Sequence, residues 1–281
     1  MKPTVPLTGP GSQPAEEEED AFAFIEMPKG MRTYSMPETA EAGDAKAFGG
    51  ALEKLREVLR ALLAKPAPGA SIAVDLSDLD AANRGFIDQT LGEGEVSIIA
   101  GDAIQAQESV LAGVWRVHEV GGGGALTGDV IEVGEFPQSV LKLAQDTGRP
   151  SLRPVEEAAS GELMNAPALA AELADKLAAF TPDAPPHILN LTLLPVSDGD
   201  LGYLEKRLGH GAVTILSRGY GNCRISSTGV RNAWWVRYFN SRETPILNTI
   251  EVVRLPGAAC AAVQDLEDSA ERLAEILEIY R

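Results

Sequence analysis

The sequence predicts an α+β fold: two tandem homologous α/β repeats with mainly antiparallel sheets, related by a pseudo-two-fold, behind a disordered acidic tail. Three observations predict it. Shifted by 117 residues, the chain matches itself without a gap, 71–99 against 188–216. Seven positions in that stretch are identical: Leu76/Leu193, Gly85/Gly202, Leu91/Leu208, Gly92/Gly209, Gly94/Gly211, Val96/Val213 and Ile98/Ile215. Helical and strand-like segments then recur in the same order in both halves, and two copies suit a paired arrangement rather than a solenoid. Consecutive strands joined by short turns make the sheets antiparallel.

The tail comes first. Pro3, Pro6, Pro10, Pro14, Pro28 and Pro37 break regular structure over 1–44, and Glu16, Glu17, Glu18, Glu19 and Asp20 repel one another. Phe22, Phe24, Ile25, Met27, Met31, Tyr34 and Met36 follow that run, more apolar matter than a solvating tail needs. Two readings stand: a segment packing loosely on its own domain, or a linear motif that folds on a partner.

The first repeat spans 45–150 and the second 151–281. Leu52, Leu55, Leu59, Leu62 and Leu63 recur at helical spacing until Pro66, Pro68 and Gly69 stop them. Residues 71–76 alternate as a strand. In the second repeat Leu169, Leu173 and Leu177 mark the helix, Pro182, Pro185 and Pro186 end it, and 187–193 is the strand. After a register change Trp115 aligns with Trp235 or its neighbour, and 131–133 with 250–252 (Ile-Glu-Val in both). Each half thus reads helix, strand, helix, three strands, helix, the closing helices lying over 138–145 and 258–279. Gly121 to Gly124 reads as a mobile hairpin loop.

Charge narrows the function. The chain has 281 residues and a formal net charge of −17, with a pI near 4.6. So acidic a chain lacks the basic footprint of a duplex nucleic-acid binder or of a protein held on an anionic membrane. The halves differ: 71–137 carries two basic and twelve acidic residues, 205–242 seven basic and one acidic. Unlike surfaces on one scaffold suit asymmetric recognition of a partner, or attraction between opposed patches within the chain or between two copies. No apolar stretch is long enough to span a bilayer, and the N-terminus lacks the features of a signal peptide. A reduced cytoplasmic protein is expected.

The chemistry-bearing residues form no enzyme constellation. Cys223 and Cys260 are too few for a disulfide framework or a four-cysteine zinc site, and His118, His187 and His210 are scattered. The GxG pairs 92–94 and 219–221 open no phosphate-binding helix and read as tight turns. Cys223, between Arg218 and Arg224, is a structural or partner-facing thiol, a lone ligand to a metal or cluster completed by another chain, or a nucleophile if His210 reaches it. Cys260 reads as a small core residue in an Ala-rich helix. Glu132 and Glu251 read as solvated carboxylates or partners of strand arginines. The densest cluster is 230–240, where alternation puts Trp234, Val236 and Tyr238 on one face and Trp235, Arg237 and Phe239 on the other. One face builds core; the other presents aromatic and arginine groups, the types favoured at binding hot spots.

These motifs have a further meaning. Residues 219–229 (GYGNCRISSTG), 232–240 (NAWWVRYFN), 246–252 (ILNTIEV), 107–117 (QESVLAGVWRV), 91–96 (LGEGEV) and the tail motif at 27–34 (MPKGMRTY) resemble the hydrogenase expression/formation family HupH/HyaF/HoxQ. The resemblance covers about 20–280. It implies a non-enzymatic cytoplasmic assembly factor for an uptake [NiFe]-hydrogenase. Such a factor acts as a chaperone that holds the iron–sulfur small-subunit precursor, with its twin-arginine signal, before export and assembly with the large subunit. No resident cofactor and no catalytic residues are implied. A second assembly factor sharing the task and a homodimer are further expectations. The candidate contacts are Tyr220, Cys223, Arg231, Trp234, Trp235 and Arg237. A redox or cluster-handling factor using Cys223 is the alternative.

Overall fold

The computed structural model describes residues 47–154, 163–218 and 222–280. The tail over 1–44, Tyr220 and its flanking glycines lie outside the described residues. The first half runs α1 (Gly49–Leu63), β1 (Ile72–Asp75), α2 (Ala81–Leu91), β2 (Val96–Ala100), β3 (Ile104–Glu108), β4 (Val114–Val120), β5 (Leu126–Val133) and α3 (Gln138–Thr147). The second runs α4 (Ala166–Ala178), β6 (His187–Asn190), α5 (Asp198–Leu208), β7 (His210–Ser217), β8 (Asn222–Thr228), β9 (Ala233–Phe239), β10 (Pro245–Val252) and α6 (Val263–Ile279). Four strands, not three, follow the second helix of each half. Gly101, at φ +57°, turns the chain between β2 and β3, where the apolar run alone shows no break.

The strands form one sheet rather than two, in the order β1-β5-β4-β3-β2-β7-β8-β9-β10-β6. Every neighbouring pair is antiparallel. The halves join where β2 pairs with β7, and there Ile98 lies opposite Ile215, its counterpart in the 117-residue self-match. A two-fold relation between the halves therefore passes between these two residues.

Elsewhere the offset changes. Val114 opposite Val133 corresponds to Ala233 opposite Val252, an offset of 119, so Trp115 matches Trp234 rather than Trp235. Val74 opposite Ile131 corresponds to Leu189 opposite Ile250, so the first strands match at 115. The gapless alignment is thus wrong for Leu76 and Leu193: Leu76 is fully buried and Leu193 is 80% exposed, whereas Leu191 is buried. A two-residue slip preserves strand alternation, so the hydrophobic pattern does not reveal it.

Three cores organise the layers. α1, α2 and α6 cover one face of the sheet near β1, β5 and the start of β4. α4 and α5 cover the same face at the other end, over Trp235, Ile250 and Val252. The opposite face of the central strands packs under α3, with Ile98, Trp115, Val117, Ile215, Ile225, Trp234 and Val236.

Equivalent polar devices hold the helices. Asn83 on α2 accepts the Ala51 N–H at 2.9 Å and so caps α1. Asp200, at the matching position of α5, accepts the N–H groups of Met164, Asn165 and Ala166 at 2.9–3.1 Å and caps α4. Burial works to raise the Asp200 pKa; hydrogen bonds from Ser197, Ala166 and Asn165 outweigh it and lower it. Glu132 is buried rather than solvated: it accepts from the Ser71 hydroxyl and from the Gln138 N–H, capping α3.

The last helix departs from the repeat. It begins at Val263, after a short 3-10 turn at Gly257–Ala259, so Cys260 lies outside it. α6 then crosses to the first half. Ser269 donates to the Ala112 carbonyl at 3.0 Å, Lys65 meets Glu267 at 2.7 Å, and Tyr280 packs edge-on against Phe86.

Candidate binding trough

α1 and α2 at one end and α4 and α5 at the other leave the middle of their shared sheet face between two helical walls. The register gives the floor. From the first half it takes Ser97, Ile99, Gln105, Gln107, Arg116 and His118; from the second, Thr214, Leu216, Arg224, Ser226 and Arg237. None of these belongs to the three cores. The ends of α2 and α5 rim the floor, with Asp88, Leu91, Gly92 and Glu93 on one side and Glu205, Gly209 and His210 on the other. Gly92 and Gly209 both take positive φ, +58° and +67°, as the chain turns from helix to strand. Gly94 and Gly211 lie so close to the backbone of Ser109 and Thr228 that a Cβ would clash, and the expected tight-turn role of 92–94 stands.

The two ends differ in charge. In the first half Arg116 is neutralised: its Nε lies 2.7 Å from Asp129, its Nη2 donates to Asp129 at 2.8 Å, and Asp88 is 3.3 Å away. Burial opposes ionisation of Asp129, but His118 and Arg116 outweigh it and lower its pKa. The matching positions of the second half hold Trp235 and Asn248, where the Trp235 Nε1–H donates to Asn248 Oδ1 at 2.5 Å. An ion pair in one half is a neutral hydrogen bond in the other.

The second half instead concentrates positive charge. Arg224 and Arg237 lie directly opposite each other on β8 and β9. Like charges at such positions destabilise a sheet. Each guanidinium lies over an aromatic ring, Arg237 4.6 Å from the Trp235 centroid and Arg224 5.5 Å from Phe239. Burial pulls the Arg237 pKa below its ordinary value; Arg224 adds to that and Glu205 opposes it. Ser226 and Thr214 are paired beside them, and Arg218 and Asn222 extend the rim. Aromatic-backed arginines with nearby hydroxyls suit carboxylate or other oxyanion groups.

The structure separates the sequence candidates. Arg237 lies in the trough, whereas Trp235 is itself core, 8% exposed under α4 and α5, and backs the Arg237 guanidinium rather than presenting a free contact face. Trp234 is core, 2% exposed, and its Nε1–H donates to the Arg254 carbonyl, as Trp115 donates to Gly134. Arg231 sits away from the trough, where its Nε donates to the Gly148 carbonyl at 2.8 Å. Cys223 faces the α3 side and is 4% exposed; burial pushes its thiol up to about 11, against a hydrogen bond from Tyr238. Cys223 lies opposite Ser217 and His210 opposite Thr228, five residues along β8, or about 17 Å, so the two cannot share a proton. Cys260 is held near the Pro256 carbonyl, and burial pushes its thiol up to about 12. No group of three metal-ligating side chains occurs among the described residues. No described helix is long and apolar enough to cross a membrane.

The sequence reading placed Phe239 on the face of Trp235 and Arg237 but missed Arg224 as Arg237's neighbour, along with Arg116 and Asp88. Strand alternation places Arg224 on a face, but only the β8–β9 register sets it opposite Arg237.

The chain is similar to known proteins over nearly its whole length. The family model "HupH hydrogenase expression protein, C-terminal conserved region" matches twice, over 47–160 and 163–280. The hydrogenase expression/formation protein HupH of Rhodobacter capsulatus is 46% identical over 278 residues, covering 97% of this chain and 96% of that protein. The hydrogenase expression/formation protein HoxQ of Cupriavidus necator is 45% identical over 276 residues, covering 98% and 96%. The hydrogenase-1 operon protein HyaF of Escherichia coli is 34% identical, covering 97% and 95%. The chain therefore belongs to the HupH family of hydrogenase expression/formation proteins.

Proposed function

We propose that this protein is a cytoplasmic chaperone in the maturation of an uptake [NiFe]-hydrogenase, without catalysis of its own. It binds the immature iron–sulfur small subunit, twin-arginine signal attached, before export and assembly with the large subunit. The trough is the client-binding face. The observation that carries this reading is the Arg224–Arg237 pair, set side by side on β8 and β9 and laid over Phe239 and Trp235. Such groups serve recognition rather than fold stability. The acidic Asp88 and Glu93 rim opposite suits a basic signal segment. The duplicated scaffold, one unit copied and then diverged in charge, gives one client two unlike grips. A second assembly factor and a homodimer belong to the same reading.

The alternative, a redox or cluster-handling factor using Cys223, has less support. A thiol held near 11 and turned into the core is protonated at neutral pH and is a poor ligand or nucleophile. Affinity capture of the tagged protein from hydrogenase-expressing cells tests both. The chaperone reading expects small-subunit precursor in the eluate, and equal recovery with Cys223→Ser. Stoichiometric iron on the protein without client, lost in Cys223→Ser, supports the alternative.

A further inference from the structure

Residues 16–34 of the N-terminal segment and the trough order their charge in the same way. Going upstream from residue 47, past Lys46, Asp44, Glu41 and Glu38, the segment carries Arg32 and Lys29, then Glu26, and at 16–20 five consecutive carboxylates. Residue 47 enters the fold beside α1, with Phe48 stacked on Phe86 of α2, at the first-half end of the sheet. From that end the trough presents Asp88 and Glu93 first and Arg224 and Arg237 last. A segment laid across the floor from its anchor would put cations over carboxylates and carboxylates over arginines.

The lengths agree. Arg116 on β4 and Arg237 on β9 are five strand positions apart, about 24 Å. Nine residues separate Asp20 from Lys29, which extended reach about 30 Å. Fifteen more separate Arg32 from residue 47, ample to reach the α2 rim. Phe22, Phe24, Ile25 and Met27 fall between the two charged groups, level with the middle of the floor at Ile99 and Leu216.

We infer that residues 16–34 of this chain are the trough's resident occupant, with the 16–20 carboxylates on Arg224 and Arg237 and Lys29 and Arg32 on the Asp88–Glu93 rim. The segment is an internal pseudo-client: tethered at residue 47, it acts at an effective concentration on the order of millimolar, and only a tighter ligand displaces it. That regulatory consequence rests on the chaperone reading; the docking itself does not, and it is read on the isolated protein.

The test uses full-length protein and a fluorescein-labelled peptide of residues 14–36, followed by anisotropy. Neutralising the run (Glu16→Gln, Glu17→Gln, Glu18→Gln, Glu19→Gln, Asp20→Asn) weakens the internal competitor. The variant is expected to bind the peptide about tenfold or more tighter than wild type. Adding Arg224→Gln and Arg237→Gln is expected to abolish that gain. Equal peptide binding by wild type and the neutralised variant overturns the inference, as does binding indifferent to both arginines. A second measurement needs no change in the sheet. A photoreactive benzoylphenylalanine replacing Phe24 in otherwise wild-type protein is expected to cross-link to β2, β7 or β8. Adducts confined to other regions, or to a second copy, refute docking in cis.

Discussion

Glu108 gives a stability prediction that depends on where α6 goes. The residue ends β3 and accepts the Gly113 N–H at 3.1 Å. Gly113, at φ +77°, lies against Leu266 of α6, and Asp265 is close enough to act on Glu108. Burial, reinforced by Asp265 and Glu95 and opposed by the Gly113 hydrogen bond, raises its pKa from 4.5 to about 7. A carboxyl with a raised folded pKa binds its proton more tightly in the folded state. Its contribution is therefore fully present below about pH 4.5 and lost as pH rises through about 7. With 1.36 kcal/mol per pKa unit, the group loses about 2.5 kcal/mol of stability between pH 5 and pH 8. Glu108→Gln keeps an acceptor for Gly113 and removes the ionisation. Urea unfolding of wild type and variant at pH 5 and pH 8 should show the variant gaining about 2.5 kcal/mol on wild type between the two. A stability difference that does not change with pH would refute the burial of Glu108 under α6.

Other substitutions test the rest of the frame. Asp200→Ala removes the acceptor of three N–H groups at the start of α4 and should cost about 2–3 kcal/mol in denaturant unfolding at pH 7. Because the Asp200 pKa is lowered on folding, its contribution is present above pH 4 and fades as pH falls through its folded pKa, so the variant's deficit should shrink in acid. Leu76→Ala should lose about 2–5 kcal/mol and Leu193→Ala under about 0.5, by thermal or urea melts; equal losses would contradict the shifted register of the first strands. Glu132→Ala leaves the first N–H of α3 without its buried partner and should cost about 1–3 kcal/mol in the same melts.

Much of this was legible from the chain because local patterns survive into the fold. The leucine spacing gave α1, and alternation put Trp234 and Trp235 on opposite faces, although it did not show that both are buried, each in a different core. The self-match located Ile98 and Ile215, although nothing in it says that these residues pair with each other. Edge-to-edge union of two repeats is a tertiary event, so the sequence reading kept the sheets apart. Glu132 was misjudged because a carboxylate between two apolar residues looks the same whether it meets water or a helix N-terminus. The path of α6 was not legible either, since its apolar stripe fits the first half's core as well as its own. In the trough, residue types were visible but adjacency was not: Arg224 and Arg237 are thirteen positions apart, and only the hairpin register brings them face to face.

The most direct test of the trough as client site is the affinity of purified small-subunit precursor for wild type and for Arg224→Gln/Arg237→Gln, with Arg231→Gln as a control outside the trough. All three proteins should first show the same far-UV spectrum and similar melting. The account predicts a loss of about tenfold or more for the double variant, consistent with two recognition residues at ~1 kcal/mol or more each, and no loss for Arg231→Gln. Unchanged affinity in the double variant, or a loss confined to Arg231→Gln, would contradict it.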